Sequence, residues 1–254
     1  MRIISLAPSN TEILYALGLG NQIIAVTGFC DWPGDVRTKP RIGAWINTEP
    51  EKIKALMPDL IFTSYFIPEP LRNWSGPGAL VHVEPKTLEG VYDGIRVIGE
   101  TTDALKTARN VIEEMKQGFG KIAIQAPSER VRIYMEEWFA PPMASGNWVP
   151  ELVEISGGRH AIAKQGESSA GFAFDELAQF DPDAAIFHWC GFGSKFPKEK
   201  LADRSKEWQE LRMFRNNALY AIDDSMINRP GPRLVEGAQK IQETIKTYLK
   251  HRGL

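Results

Sequence analysis

The chain predicts an α/β protein of two Rossmann-like lobes joined by one long α-helix. Three observations carry that expectation: short apolar runs alternating with helical patterns, one long amphipathic stretch in mid-chain, and a likeness between the two halves. Alternation of this kind marks parallel β-α units, because a crossover helix must cover the sheet its strands build.

The elements follow in order. Apolar runs at 3–6, 23–26, 60–62 and 80–83, separated by helical patterns, make one lobe by about residue 86. After the first run, Ser9-Asn10-Thr11-Glu12 reads as a capping box. In that motif the serine hydroxyl and the glutamate three residues on satisfy the first free N–H groups of a helix. Gly18 or Gly20 ends that helix. Between 102 and 119, Ala104, Leu105, Ala108, Val111, Ile112, Met115 and Phe119 fall at steps of three and four, which predicts one long helix with a single apolar face. A polar connection at 120–129 leads to a second series, with strands expected at 131–135, 184–187 and 219–222. A closing helix runs from about 233 to 250, capped by the Pro230-Gly231-Pro232 turn. The expected organisation is a first lobe over 1–101, a bridging helix over 102–120 and a second lobe over 121–254.

The halves echo each other. Glu51-Lys-Ile-Lys-Ala-Leu56-Met-Pro58-Asp59 matches Asp175-Glu-Leu-Ala-Gln-Phe180-Asp-Pro182-Asp183 at a constant offset of 124 residues (51 to 175, 58 to 182). In each, an acid opens a helix and Pro-Asp breaks it into a strand. A second echo sets Glu12-Ile-Leu-Tyr-Ala-Leu-Gly18 against Glu151-Leu-Val-Glu-Ile-Ser-Gly157.

Composition narrows the function. Thirty basic against 32 acidic residues leave a formal charge of −2, which speaks against nucleic acid as a partner. With 43% hydrophobic and 24% charged residues, the 254-residue chain reads as a globular protein with a sizeable core. No run approaches the roughly 18 consecutive apolar residues of a membrane span, so the chain is not expected to be membrane-embedded. The start, Met1-Arg2-Ile3-Ile4, lacks the build of a secretory leader. A cytoplasmic location is therefore expected of the sequence as it stands, with a periplasmic or extracellular one as the alternative if a leader has been removed.

Open parallel sheets bind ligands outside the carboxyl ends of their strands, here in a cleft expected between the lobes. The segments that matter are thus Ser9-Asn10, Phe29-Cys30-Asp31-Trp32, Tyr65-Phe66, Glu136-Glu137-Trp138, His188-Trp189-Cys190-Gly191-Phe192 and the stretch from Asp223 through Asn228 to Arg229, with Trp45 and Trp148 in loops nearby. Six of the seven tryptophans fall in or beside such loops, and large flat aromatic surfaces suit a large flat ligand. Cys30, Cys190, His188, Glu136 and Glu137 could also converge as a thiol nucleophile or soft-metal site. Buried cysteine used as a small apolar residue is the competing reading. The cysteines are compatible with one pair or none. His82 and His160 read as structural and His251 lies in the tail. No phosphate loop, nucleophile elbow or His-Glu-x-x-His helix occurs.

The stretch from Ser5 to Glu12, Asp31-Trp32-Pro33, the Trp45 loop with 51–59, and Pro141-Pro142 leading to Gly157-Gly158 together resemble the cobalamin-binding proteins of ABC importers, over nearly the whole chain. The resemblance implies a non-catalytic receptor without a cofactor, two lobes on a rigid helical bridge, cobalamin or a related corrinoid as cargo, and an ABC permease as partner. Phe29, Trp45 and Tyr65 fall where such receptors line the corrin with aromatics, and Arg229 falls where the second lobe holds the ligand's edge. Met143 stands in place of a family phenylalanine, Ser169 near a family tryptophan, and Ser225 in place of an acid. Trp148 or Trp189 would then supply the second lobe's indole, beside Cys190 and Asn228. Glu51 and Asp175 look like the acids that dock one lobe each onto permease arginines, although an acid at a helix N-terminus is also favourable locally. The segment from Ile227 to Val235 is similar to the signature of a leaderless subgroup. Two other readings stay open: an intracellular protein binding another small molecule with a reactive thiol, and a haem or iron-siderophore receptor relying on Arg229, Arg233 and His188.

Overall fold

The computed structural model describes residues 1–44 and 47–253. They divide into two compact units, one of Met1–Pro85 with Glu89–Glu114, the other of Lys86–Leu88 with Met115–Leu254.

The first unit contains β1 (Ile3–Ser5), α1 (Pro8–Ala16), β2 (Ile23–Val26), α2 (Pro50–Ala55), β3 (Leu60–Ser64), β4 (Ala79–Val83) and most of α3 (Leu88–Thr101). Its four strands are all parallel, in the order β2-β1-β3-β4. Every residue of β1 and β3 is buried, as central strands require when both faces of a parallel sheet are covered.

The expected capping box does not form. Helix α1 begins at Pro8 with Ala7 as its N-cap and no side-chain cap. Proline is pre-organised for the first helical position and its missing N–H is not needed there, so the helix starts two residues early, with Ala7 in place of Ser9 as its N-cap, and draws Ser9 inside it. Ser9, Asn10, Thr11 and Glu12 are all buried. Thr11 Oγ1 lies 2.8 Å from Ser5 Oγ and 3.1 Å from the Ala7 carbonyl, tying the helix to the end of β1.

The long helix is shifted from its expected place. α4 spans Leu105–Ile124, because Asp103 takes a left-handed backbone (φ 58°) that separates it from α3. Its buried face of Ala108, Val111, Ile112, Met115 and Phe119 is the predicted one, but the helix runs on through Gly120 into the expected polar connection. The division between the units falls within α4, after Glu114. α3 and α4 approach closely at Gly99, where a Cβ would sit 2.5 Å from that of Ala108.

The second unit holds β5 (Val131–Trp138), β6 (Met143–Ala144), α5 (Val149–Ile155), β7 (Gly158–Arg159), α6 (Phe174–Phe180), β8 (Ala184–Phe187), α7 (Lys206–Gln209), α8 (Arg212–Arg215), β9 (Leu219–Ala221) and α9 (Leu234–His251). β5 pairs in parallel with β7 and β8, β8 pairs with β9, and the short β6 returns antiparallel to β5. The parallel order β7-β5-β8-β9 is thus the order of the first unit repeated.

The internal echo has a physical basis. In the first unit Asp59 Oδ2 accepts the Arg2 backbone N–H (2.7 Å), and the Asp59 N–H donates to the Arg2 carbonyl (2.8 Å). In the second unit Asp183 and Arg132 exchange the same two bonds, at 3.0 and 2.8 Å. Arg2 donates to the Leu56 carbonyl (2.7 Å) and Arg132 to that of Phe180 (3.1 Å), the matched residues of the repeat. Met57 and Asp181, each just before the proline, are both left-handed, at φ 45° and 47°. Each Pro-Asp therefore leads from a helix into a strand and carries a carboxylate that accepts a backbone amide at the start of the neighbouring strand. Gly18 (φ 76°) and Gly157 (φ 95°) close α1 and α5 alike. No helix among the described residues is long and apolar enough to cross a membrane.

Candidate functional site: the carboxyl edges of the two sheets

In the first unit the loops after β2 and β3 carry the aromatics. Phe29 is 57% exposed and Trp32 49%, values that large apolar side chains rarely reach without a partner surface. The Arg41 guanidinium fixes the turn that presents Phe29, donating to the carbonyls of Thr27 (2.6 Å) and Cys30 (2.7 Å). After β3, Tyr65 is half-buried with φ 71°. An aromatic residue in the left-handed region costs about 1–2 kcal/mol, so the loop holds Tyr65 against its backbone preference. Phe66 follows, exposed. Trp45 lies outside the described residues.

Cys30 is not part of this edge. It is fully buried, with Thr11 Oγ1 at 3.1 Å and Thr27 Oγ1 at 3.4 Å from its sulfur, and burial pushes its thiol up. Both cysteines are free.

In the second unit the indole expectations fail. Trp148 and Trp189 are each only 1% exposed. Trp148 caps α5 and donates Nε1–H to the Ile227 carbonyl (2.8 Å). Trp189 packs against Phe139, Phe187, Phe192 and Phe196 and donates to Glu136 (2.8 Å). Neither ring has a face to offer a ligand. Both positions follow or precede a strand-end loop in sequence, but the chain from Phe192 onward folds back over Trp189 and makes it core.

Glu136 is core as well. Its carboxylate is fully buried and accepts from Tyr134 Oη (2.6 Å), Trp189 Nε1 (2.8 Å) and the Arg204 guanidinium. Arg204 is itself stacked 4.4 Å from the Trp208 ring centre and 4.6 Å from that of Phe139. Burial drives the Glu136 carboxyl up to about 7, against the pull of Arg204 and the two neutral donors.

A polar chain runs from the surface inward. Exposed Cys190 lies 3.1 Å from Asn228 Nδ2, which also donates to the His188 carbonyl (3.2 Å). Asn228 Oδ1 must then face His188 Nδ1 (2.5 Å), which carries the hydrogen, and Nε2 accepts from Ser145 Oγ (2.7 Å). Hydroxyl, imidazole and amide in this order have the geometry of a nucleophile, its base and an orienting group. Ser145 and His188 are buried, however, so no substrate reaches the hydroxyl. Burial holds His188 near 4 and hence neutral. His160, between the carbonyls of Ile133 (3.1 Å) and Ser145 (3.0 Å), is likewise lowered to about 4 by burial.

At the surface end, crowding around the sulfur and the Glu137 carboxylate push the Cys190 thiol up to about 12. Glu137 in turn accepts from Ser169 Oγ, and Asp224 accepts the N–H groups of Gly191 (3.1 Å) and Gly193 (2.7 Å), which shapes the turn after Cys190. Half-buried Arg229 lends its charge to both Cys190 and Asp224. A thiol this basic is a poor nucleophile. At pH 8, Cys190 is expected to alkylate on the order of 50-fold slower than a free cysteine, the loss of thiolate outweighing its higher intrinsic nucleophilicity, with Cys30 protected until unfolding. Mass spectrometry over a time course of iodoacetamide labelling would read both rates, and rapid modification of Cys190 would restore the reactive-thiol reading.

The pattern of the family described as periplasmic binding protein matches residues 3–226. The chain belongs to that family. Its two α/β units with parallel sheets are that family's architecture, and the family is one of binding proteins. The chain is 27% identical to an uncharacterized ABC transporter substrate-binding lipoprotein of Bacillus subtilis, over 96% of this chain and 79% of that protein. It is 26% identical to a vitamin B12-binding protein of Vibrio cholerae, over 98% of this chain and 89% of the other. In structure it is similar to the periplasmic heme binding protein of Vibrio cholerae, with a TM-score of 0.81 and 19% identity over 96% of this chain and 98% of that one. That last likeness concerns the fold.

Glu51 and Asp175 stand where the repeat puts them, in the first turns of α2 and α6, both exposed. Glu51 pairs with Lys54 at 2.8 Å. The Glu136–Arg204 pair and the Ser145–His188 contact have no local signal in the sequence, since their members are 68 and 43 residues apart.

Proposed function

We propose that this protein is a substrate-binding protein that captures cobalamin or a related corrinoid and delivers it to the permease of an ABC-type importer. The observation that carries this reading is the set of exposed aromatics, Phe29, Trp32 and Phe66, with half-buried Tyr65 among them, at the carboxyl edge of the first sheet. Such rings match the broad, largely apolar face of a macrocycle and would be a liability on a receptor for a small polar solute. Relatedness to vitamin B12-binding proteins over almost the full length supports the same ligand class. Arg229 and Asn228 supply polar contacts at the edge of the second sheet. In this reading the ligand is cargo, which the burial of Ser145 and the raised pKa of the Cys190 thiol support.

Glu51 and Asp175, equivalent openers of α2 and α6, are the proposed contacts with permease arginines. This role takes the periplasmic or extracellular location of the two expected from sequence. Haem is less favoured as cargo, because His188, the histidine proposed for iron, is buried with both ring nitrogens engaged.

Titration with cyanocobalamin and dicyanocobinamide, followed by tryptophan quenching and calorimetry, tests the reading. Affinity at the ~μM level or tighter is expected, and no signal up to about 100 μM would overturn it. Phe29→Ala should weaken binding by roughly 1–3 kcal/mol, the range of a stacking residue at a hot spot, with unfolding unchanged.

A further inference from the structure

Strand β5 bulges where it reaches the carboxyl edge of the second sheet. Pairing with β6 advances two residues on β5, from Glu136 to Trp138, for one on β6, from Ala144 to Met143. An extra residue in one strand resets the alternation of side chains, and such bulges re-aim side chains beside functional sites. Here the consequence is plain. Glu136 faces the interior, and Trp138, two positions on and due to face inward again, is 42% exposed. Phe139 takes the inward place, packed on Trp189 at 4.8 Å and beneath Arg204.

The exposed indole is held in one orientation. Its Nε1–H donates to the Ala140 carbonyl at 3.0 Å, so the polar edge turns back on its own hairpin. Met143 stands directly opposite Trp138 in the antiparallel ladder, and directly opposed residues share a face of the hairpin. The hairpin is also joined to the polar segment described above. The Cys190 N–H donates to the Glu137 carbonyl (3.1 Å), one residue before Trp138, and Ser169 Oγ donates to the Glu137 carboxylate.

We propose that Trp138, set beside the Met143 that the resemblance already put at the ligand, supplies the ligand-facing indole platform of the second unit, in the role first expected of Trp148 or Trp189. The proposal rests on the receptor reading above and names the specificity-determining surface it lacked. A fixed indole beside a polarizable thioether presents a flat, adaptable contact that fits the face of a macrocycle. Glu137 and Ser169 at its border suit the amide-bearing rim of a corrinoid.

The test measures binding of cyanocobalamin, dicyanocobinamide and haemin to the full chain and to its Trp138→Ala, Trp138→Phe and Met143→Ala variants, with thermal unfolding of each. Trp138→Ala is expected to weaken corrinoid binding about 10–100-fold, Trp138→Phe only a few-fold and Met143→Ala about 3–10-fold. Unfolding of the two Trp138 variants should be unchanged, because that ring is exposed. Corrinoid binding by the wild type that Trp138→Ala leaves unaltered would overturn the platform and spare the receptor reading. A wild type that binds none of the three ligands would overturn both. Haemin binding alone, weakened by Trp138→Ala, would uphold the platform and replace the cargo.

Discussion

Truncating Arg204 to alanine is expected to destabilise the second unit by about 3–5 kcal/mol, the usual penalty for stripping one partner from a buried ion pair. Arg204 and Glu136 have side-chain exposures of only 6% and 0%, so water cannot replace the lost guanidinium. Two neutral donors, Tyr134 Oη and Trp189 Nε1, would still reach the carboxylate, but they do not neutralise it. The substitution also removes the cation stacked on Phe139 and Trp208. The loss should depend on pH in a definite sense. Glu136 already sits near 7 in the folded state, above its unfolded value, and losing Arg204 raises it further. A carboxyl raised on folding favours the native state at low pH and loses that advantage as pH rises from the unfolded value through the folded one. Urea unfolding at pH 5.5 and pH 8 would check this: the variant's deficit should be larger at pH 8. A deficit below about 1 kcal/mol at both pH values would show that the pair does not anchor the segment folded over Trp189.

Acid should weaken the second unit through its two buried histidines. His160 and His188 are held near 4 by burial, below the ordinary 6.5. A depressed imidazole is neutral in both states above about pH 6.5. As pH falls below that, the unfolded chain takes up protons that the folded chain refuses, until the folded value near 4 is passed. At 1.36 kcal/mol per pKa unit, each histidine withdraws roughly 3 kcal/mol of stability by pH 4. Glu136 acts oppositely over an overlapping range, returning about 3 kcal/mol as it protonates in the fold. Glu137 and Asp224, also raised by burial, act in the same sense as Glu136, so the loss between pH 6.5 and 4 is expected to be smaller than the two histidines alone would give. Nuclear magnetic resonance separates the contributions: the His160 and His188 ring signals should stay flat from pH 8 down to about 5. A midpoint near 6.5 for either ring would show that it is solvated.

Several features of this chain are legible because their causes are local. Helix-breaking Pro58 and Pro182, each followed by an aspartate, announce two equivalent helix-to-strand transitions, and the structure shows why: Asp59 and Asp183 accept a backbone amide at the start of the neighbouring strand in the same way. The apolar face of α4 is likewise written in its periodicity. Punctuation is less legible where two local signals compete, as at Pro8 against Ser9, and at Asp103, whose left-handed turn carries no signature in the residues around it.

The candidate site divides along the same line. Placing it at the strand ends follows from the parallel order of the sheets, and Phe29, Trp32 and Tyr65 lie there as expected. For Trp148, Trp189 and Trp138, loop position says nothing of exposure. Trp189 is buried by chain that follows it, Trp148 by a bond to Ile227 79 residues away, and Trp138 is turned outward by a one-residue bulge.

Local periodicity and helix punctuation thus suffice to read two parallel α/β units and the carboxyl edges of their sheets, where the ligand is proposed to bind, since each signal arises within a few residues. Which side chains line those edges, and which thiol, imidazole and carboxylate are sealed away, emerges from long-range packing. Accessibility and charge depend on neighbours that come together only when distant segments fold against one another.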